Sequence, residues 1–355
     1  MTRFLLAGGG TAGHVNPLLS LADAIIAANA EDRVWALGTK EGLEANLVPQ
    51  RGYELLTVDR LPFPRKLSGY ALSFPFKFWN AVRQAKRYLR TYEIDAVVGF
   101  GGYACAPAYL AAKSLGIPTV VHEANALPGW ANKLGAKSAK AVGVTFKSTP
   151  LPNAQFVGMP LRREIEEIAA GADRESARLA FGLDPDTVTL LVTGGSLGAK
   201  RINETIEASR RVLSAAGIQV LHIMGGRSDL GEVREKDYVR IAYCDSMDQA
   251  IAASSFAVSR AGSSTVSEFA AVGLPAAYVP YPIGNGEQKL NVAEIIEAEG
   301  GLLVLDKDFT PDYVASTLVP LISNSRALAD MAAKAKKTGV ADGTARLLAL
   351  VKGVL

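Results

Sequence analysis

Short, mainly apolar runs alternate along this chain with longer stretches whose apolar positions recur every three or four residues. The runs at 2–7, 33–37, 53–58, 96–99, 118–122 and 141–145 predict buried strands, and 17–28, 41–50, 104–115 and 130–137 predict helices between them. The alternation then restarts. Strands are expected at 187–192, 219–223, 239–242, 256–258, 276–279 and 302–305, with helices at 199–215, 247–253, 263–272 and 287–299. Parallel strands need long crossovers, and helices supply them, so this rhythm predicts parallel sheets covered on both faces. The break falls at Gly158-Met159-Pro160, where strand pattern gives way to a charged helix. The expectation is an α/β protein of two doubly wound domains, 1–160 and 161–340, facing each other across a cleft. Ligands in such sheets bind beyond the carboxyl ends of the strands. A last helix, within 341–355, can pack on either domain, the first included.

Composition narrows the class. At 355 residues the chain is too long for one average domain, and with 49% apolar and 21% charged residues it is an ordinary globular sequence. No apolar window reaches 18 residues, and the first run is too short for a signal-peptide core, so a soluble or peripheral protein is expected. Cys105 and Cys244 form no CxxC pair, which argues against a disulfide framework or structural zinc and for a reducing compartment. The net charge of +3 conceals an asymmetry. Residues 1–160 carry 17 Lys/Arg against 10 Asp/Glu, while the remainder carries 21 against 25. The basic half is the one expected to meet an anionic partner.

Four glycine turns carry the candidate chemistry. The first, Gly8-Gly9-Gly10-Thr11-Ala12-Gly13-His14, satisfies G-x-G-x-x-G between a strand and a helix. Glycines there let backbone N–H groups approach a phosphate at a positive helix end. A dinucleotide fold also needs an acid at the end of the second strand. Here Glu31 and Asp32 precede that strand, which ends in Gly38-Thr39, so a dehydrogenase is disfavoured. His14 stands where a Walker A lysine would be. An imidazole in a glycine loop at a helix start is a candidate proton acceptor, and helix capping is its plainer alternative. The second turn, Phe100-Gly101-Gly102-Tyr103, is a second candidate anion nest, and the two together point to a diphosphate at Gly9, Gly10, Gly101, Gly102 and Tyr103. The third, Gly194-Gly195-Ser196-Leu197-Gly198, mimics a nucleophile elbow. Only His222 follows it, with no acid between, so Ser196 is read as a binding residue. In the fourth, Ser259-Arg260-Ala261-Gly262-Ser263-Ser264-Thr265-Val266-Ser267-Glu268, hydroxyl residues open a helix and make a phosphate seat. Glu268, one turn on, can accept both hydroxyls of a ribose, or simply favour the helix dipole.

These segments, with His122-Glu123-Ala124-Asn125-Ala126, Val157-Gly158-Met159-Pro160-Leu161-Arg162 and Gly286-Glu287-Gln288, occur in an order that resembles the MurG family over nearly the whole chain. The resemblance implies a GT-B fold of two Rossmann-like domains. It implies an inverting glycosyltransferase that moves N-acetylglucosamine from UDP-N-acetylglucosamine to undecaprenyl-linked lipid I, giving lipid II for peptidoglycan, cell shape and division. It places the acceptor in the N-terminal domain and the UDP-sugar mainly in the C-terminal one. On the donor it places Thr11, Ala12, Gly13, Arg162, Ser196 and the Ser263–Thr265 turn, with Glu268 on the ribose and the Cys244 backbone on uracil. Asn125 and Gln288 would face the sugar. The family's Gln-Gln pair reads Glu287-Gln288 here, which leaves position 287 without an assigned role. His14 becomes the leading base, and Arg162 with the 263–265 helix end holds the leaving charge. No metal ligand set is expected and no cofactor is obligatory, though a divalent cation is compatible.

From Arg60 to Tyr92 eight Lys/Arg and no acid are interleaved with Phe63, Phe74, Phe76, Phe78 and Trp79. Anionic headgroups attract such a segment and its aromatics suit the interface, so docking at the cytoplasmic face of a membrane is expected. Nucleic acid is not an expected partner; cell-wall synthesis and division proteins are. Two rivals remain: a UDP-sugar epimerase of the same fold, which needs no second substrate, and a non-catalytic nucleotide-sugar-binding protein.

Overall fold

The six apolar runs of the first half become β1 (Arg3–Ala7), β2 (Arg33–Gly38), β3 (Glu54–Thr57), β4 (Ala96–Gly99), β5 (Thr119–Glu123) and β6 (Ala141–Val144), and a further strand, β7 (Ala154–Phe156), follows. In this computed structural model, which describes residues 1–64, 69–195, 198–226, 228–283 and 285–355, the chain divides into two units. One is Met1–Arg162 with Asp342–Leu355, the other Arg163–Ala341. The first sheet runs β3-β2-β1-β4-β5-β6-β7, every pair parallel. Its crossovers are α1 (Ala12–Ala28), α2 (Glu44–Gln50), α3 (Gly69–Thr91), α4 (Cys105–Leu115) and α5 (Trp130–Ala136). Successive strand residues point to opposite faces. Leu5 and Ala7 therefore join one core with Val82 and Leu89 of α3, while Phe4 and Leu6 join another with Leu18 of α1 and Leu347 of the C-terminal helix Gly343–Lys352. The strand order reverses between β1 and β4, which sets the turns after these two strands side by side.

The second unit repeats the design. Its strands are β8 (Thr189–Thr193), β9 (Gln219–Ile223), β10 (Val233–Glu235), β11 (Tyr238–Ile241), β12 (Phe256–Ser259), β13 (Ala276–Tyr278) and β14 (Gly301–Leu303). They are ordered β10-β11-β9-β8-β12-β13-β14, with only the β10–β11 hairpin antiparallel. The helices are α6 (Arg163–Ala170), α7 (Arg174–Ala180), α8 (Lys200–Ala208), α9 (Arg210–Ala215), α10 (Met247–Ala252), α11 (Ser263–Val272), α12 (Glu287–Asn291) and α13 (Ala293–Glu297). A largely helical tail follows, ending in the 14-residue helix Ser325–Thr338.

Several elements depart from the periodicity. α1 starts at Ala12, not at 17, because the Thr11 carbonyl accepts from both His14 and Val15 N–H. Pro17 thus lies inside the helix, and His14 lies on its first turn. The 199–215 helix is two helices meeting at Ser209, whose hydroxyl bonds back to the Thr205 carbonyl at 2.7 Å and competes with the backbone ladder. α3 is not expected as a helix: Pro75 sits within it, and in its first half Leu72, Phe76 and Trp79 are exposed, which blurs the period. Edge strands β7 and β10, each three residues long, are too short to show a pattern.

Both segments that end the first unit are clamped within it. His122 Nε2–H donates to the Gly158 carbonyl at 3.0 Å, and Thr344 Oγ1 donates to the Leu161 carbonyl at 3.1 Å. Gly343 packs directly on the Met159 carbonyl. A methyl group at Gly343 would clash with that backbone oxygen, so Gly343→Ala is expected to cost about 1–3 kcal/mol. Gly171→Ala, at a site with open space, should stay within about 0.5 kcal/mol of the parent. Urea denaturation of the two variants checks the contrast.

Candidate active site

At the switch point of the first sheet the two glycine turns touch. Gly102 has φ +90°, and a Cβ there would lie 2.6 Å from the Gly9 carbonyl oxygen. Gly101 has φ +101°, and its Cβ would lie 2.9 Å from His14 Nε2. Glycine at 101 therefore leaves that nitrogen open. The turn is pinned by Cys105, whose Sγ accepts from Gly101 N–H at 3.1 Å and lies 3.0 Å from the Ala7 carbonyl, to which it donates. Burial pushes this thiol up to about 12, so it serves as a thiol link and not as a nucleophile.

His14 Nδ1 lies 3.0 Å from the Gly9 carbonyl oxygen. A carbonyl only accepts, so Nδ1 carries the proton, and in the neutral ring Nε2 keeps its lone pair on the side of Gly101. Beneath the loop sits Glu44, only 1% exposed. Its carboxylate accepts from Gly10 N–H at 2.7 Å and from the N–H and hydroxyl of Thr39, both at 2.8 Å. The Gly10 N–H, expected to meet a diphosphate, is thus already spent on an internal carboxylate. At the end of β5, Glu123 is buried and accepts from Asn125 N–H at 2.9 Å, Gly129 N–H at 3.0 Å and Asn132 Nδ2 at 2.9 Å. Asn132 in turn accepts from Tyr109 Oη at 2.8 Å. This scaffold fixes the 122–132 loop and half-buried Asn125. Burial lowers His122 to about 4, and its Nε2–H is engaged by the Gly158 carbonyl. Tyr103 is exposed, with the Arg60 guanidinium 5.5 Å from its ring centroid. Arg162 closes the unit.

In the second unit α11 begins after Gly262 with no side-chain cap and no acid in its first turn. Its leading N–H groups belong to Ser263, Ser264 and Thr265, and the Ser264 Oγ is buried without a partner among the described residues. Glu268 lies one turn further, half-buried. Gln288 comes from α12, and its Oε1 accepts from Ala261 N–H at 3.3 Å and Tyr281 N–H at 2.9 Å. That fixes the amide orientation and leaves Nε2 as an outward donor. Arg260 ties the same turn to Asp306 at 2.5 Å. Gly198 packs on the Met224 carbonyl, which accepts from Asn203 Nδ2 at 3.1 Å. Asn203 Oδ1 accepts from His222 Nε2–H at 3.1 Å, and His222 Nδ1 accepts from Tyr238 Oη at 2.8 Å. Burial, then Arg240, holds His222 down to about 3, so every donor in that chain has one direction. Cys244 is buried beside exposed Tyr243. Ser196 lies outside the described residues. Among those residues no three His, Cys, Asp or Glu side chains are grouped to hold a metal ion.

Comparison with known proteins decides the family. Residues 4–144 match the glycosyltransferase family 28 N-terminal domain and 189–347 match its C-terminal domain. The UDP-N-acetylglucosamine--N-acetylmuramyl-(pentapeptide) pyrophosphoryl-undecaprenol N-acetylglucosamine transferase of Clavibacter sepedonicus is 54% identical over 353 residues, covering 99% of this chain and 96% of that protein. The crystal structure of Acinetobacter baumannii MurG superposes with a TM-score of 0.79 at 26% identity, covering 99% of this chain and 100% of that one. This chain is a glycosyltransferase of the MurG family. A Listeria monocytogenes structure described as a UDP-N-acetylglucosamine 2-epimerase also aligns, covering 99% of this chain and 96% of that one, at a TM-score of 0.71 and 14% identity. That likeness shows a shared fold alone, the two Rossmann-like domains of the GT-B class.

In this MurG-family chain the switch point gathers Gly9–His14 with Gly101–Tyr103, and the α11 start gathers Ser263–Thr265 with Gln288. Sequence reading missed Glu44, Asn132, Tyr109, Asn203 and Tyr238. For Glu44 a signal existed, an acid six residues beyond a strand ending in glycine, but Glu41 shares the loop and nothing local says which side chain turns back under the first turn. α3 also gained meaning. Leu72, Phe76, Trp79, Arg83, Arg87 and Arg90 are all exposed and, at 100° per residue, fall within an arc of roughly 80°. Phe74 and Phe78 turn inward onto Phe63 and Trp130, at centroid distances of 5.6 Å for Phe63–Phe74 and 6.3 Å for Phe78–Trp130. Residues 65–68 of this segment lie outside the described part.

Gly101→Ala sets a methyl against His14 Nε2, so sugar transfer is expected to fall ~10²-fold or more with the circular dichroism spectrum unchanged. Near-parental turnover in that variant would show that Nε2 need not be open.

Proposed function

We propose that this chain transfers N-acetylglucosamine from UDP-N-acetylglucosamine to the muramoyl-pentapeptide of undecaprenyl-pyrophosphate-linked lipid I, forming lipid II with inversion at the anomeric carbon. The observation that carries the reading is the 54% likeness, across both units, to a transferase named for that reaction. The site residues give each step a chemical agent. UDP sits with its diphosphate on the uncapped start of α11, where N–H groups and the orphaned Ser264 hydroxyl are available to it. Glu268 accepts the ribose hydroxyls, the Cys244 backbone meets uracil, and Gln288 Nε2 donates to a sugar hydroxyl, with Asn125 also facing the sugar. The acceptor diphosphate is held at Gly101, Gly102 and Tyr103, near basic Arg60.

His14 Nε2 takes the proton of the acceptor hydroxyl as its oxygen bonds to the anomeric carbon. The bond from that carbon to the diphosphate breaks, and the pair of electrons leaves with UDP. Helix-end N–H groups and Arg162 stabilise that charge. This assignment gives no metal an obligatory role; a divalent cation would add to the same stabilisation. An epimerase has no second substrate to deprotonate and no use for the α3 surface. That surface, apolar at its start and basic towards its end, docks the protein on anionic lipid at the cytoplasmic face, where lipid I is presented. Among the described residues no helix is long and apolar enough to cross a membrane.

The direct assay supplies labelled UDP-N-acetylglucosamine and a lipid I analogue, and the reading fails if no labelled disaccharide-lipid forms. Glu268→Ala should weaken UDP binding by about 1.5–3 kcal/mol, the size of one charged hydrogen bond, as measured by calorimetry. Unchanged affinity would remove Glu268 from the ribose. Replacing Lys77, Arg83, Lys86 and Arg87 with Ser should release the protein from anionic vesicles, at roughly 1 kcal/mol per charge, while turnover on a short-chain soluble acceptor barely changes. Parental co-sedimentation of that variant would put the docking surface elsewhere.

A further inference from the structure

We propose that Glu44 is a positioning residue for His14 and acts through a single peptide group, the one joining Gly9 to Gly10. The inference rests on the assignment of His14 as the base. The N–H of this peptide group belongs to Gly10 and donates to Glu44 Oε2 at 2.7 Å. Its carbonyl belongs to Gly9 and accepts from His14 Nδ1 at 3.0 Å. Carboxylate, peptide and imidazole therefore form one chain of hydrogen bonds with a fixed direction. A negative charge on the N–H side of an amide shifts electron density towards its oxygen. The oxygen becomes a stronger acceptor, and bonds linked in this way reinforce one another by about 10–30% each. The proton is held on Nδ1, and the lone pair is left on Nε2, on the side of Gly101. This is the task a carboxylate performs when it bonds an imidazole directly, relayed here through the main chain.

The surroundings of Glu44 fit that task. It has no cationic partner among the described residues, and its remaining bonds are accepted from Thr39 alone. Gly9, Gly38 and Gly42 all press against its side chain, so the two loops are shaped around it. A carboxylate buried without a counter-charge is costly, and a plain packing role would not require one. A glutamine of the same shape could accept at only one end. Its amide would oppose either the Gly10 N–H or the Thr39 donors.

The test is the protonation pattern of the His14 ring, read by nitrogen NMR on the whole, ¹⁵N-labelled protein without substrate. Only three histidines contribute, and His14→Ala identifies the signal. The parent is expected to hold His14 as the Nδ1–H tautomer. In Glu44→Gln the population should move towards Nε2–H, and kcat should fall about tenfold or more while KM for UDP-N-acetylglucosamine stays within about twofold. Thr39→Val, which removes a support of Glu44 but not its bond to Gly10, should keep the parental tautomer. Should Glu44→Gln not fold, Glu44→Asp, with its reach to Gly10 shortened by one methylene, is read in the same way. A parent ring protonated on Nε2, or a folded Glu44 variant with the tautomer and kcat of the parent, overturns the inference. Because the spectrum needs no substrate, a parent protein without transferase activity would sink the functional reading and leave the relay itself standing.

Discussion

The first unit is organised by a backbone-to-backbone contact. The turns after β1 and β4 meet where Gly102 lies against Gly9, at a separation no side chain tolerates. A reversal of strand order leaves a crevice there, because the crossovers on either side leave in opposite directions. Everything proposed for the acceptor side depends on how that crevice is filled. His14 enters from the first turn of α1, Gly101 leaves its Nε2 clear, and Cys105 anchors the second turn to the end of β1.

The interior of both units is polar in a few places and fully paired in most of them. Glu44 and Glu123 are buried carboxylates that, among the described residues, accept from backbone N–H groups and neutral side chains. In the second unit Tyr238, His222 and Asn203 pass hydrogen bonds in one direction to the Met224 carbonyl under the third glycine turn. Each set spends donors and acceptors on holding a loop, and an unpaired partner in such a set costs about 1–3 kcal/mol. Buried polar networks of this kind favour one loop conformation over its near neighbours, as binding a diphosphate with main-chain N–H groups demands. The start of α11 is the complement: its N–H groups carry no internal cap, so their hydrogen-bonding capacity remains for a ligand.

α3 has two faces of different character. Its inner face supplies Ala81, Val82, Ala85 and Leu89 to the core. Its outer face exposes Leu72 by 78% and Phe76 by 80%, then turns basic within the same arc. Large apolar side chains exposed side by side are unusual on a protein that meets only water. Graded from apolar to cationic along one helix, they match the gradient from acyl chain to headgroup.

The sequence by itself determined the class of the fold and the places where chemistry is available. Strand runs and helix periods depend on local burial, so β1, β4, β8 and β12 were legible, as were the glycine turns that follow them. Hydroxyl residues opening α11 and the histidine in the first turn were legible for the same reason, since their chemistry is written in adjacent residues. Tertiary structure decided what lies far apart in the chain. That Glu44, 34 residues from Gly10, occupies the loop's N–H depends on β2 pairing with β1. That Gln288 shows its amide nitrogen and not its oxygen depends on Ala261 and Tyr281 presenting two N–H groups to it. The basic, aromatic character of α3 was legible but its helicity was not, because Leu72, Phe76 and Trp79 lie on the exposed side of its first half and blur the amphipathic period there. Periodicity reports what one segment buries, whereas the partner of a buried carboxylate or amide is set by which strands become neighbours.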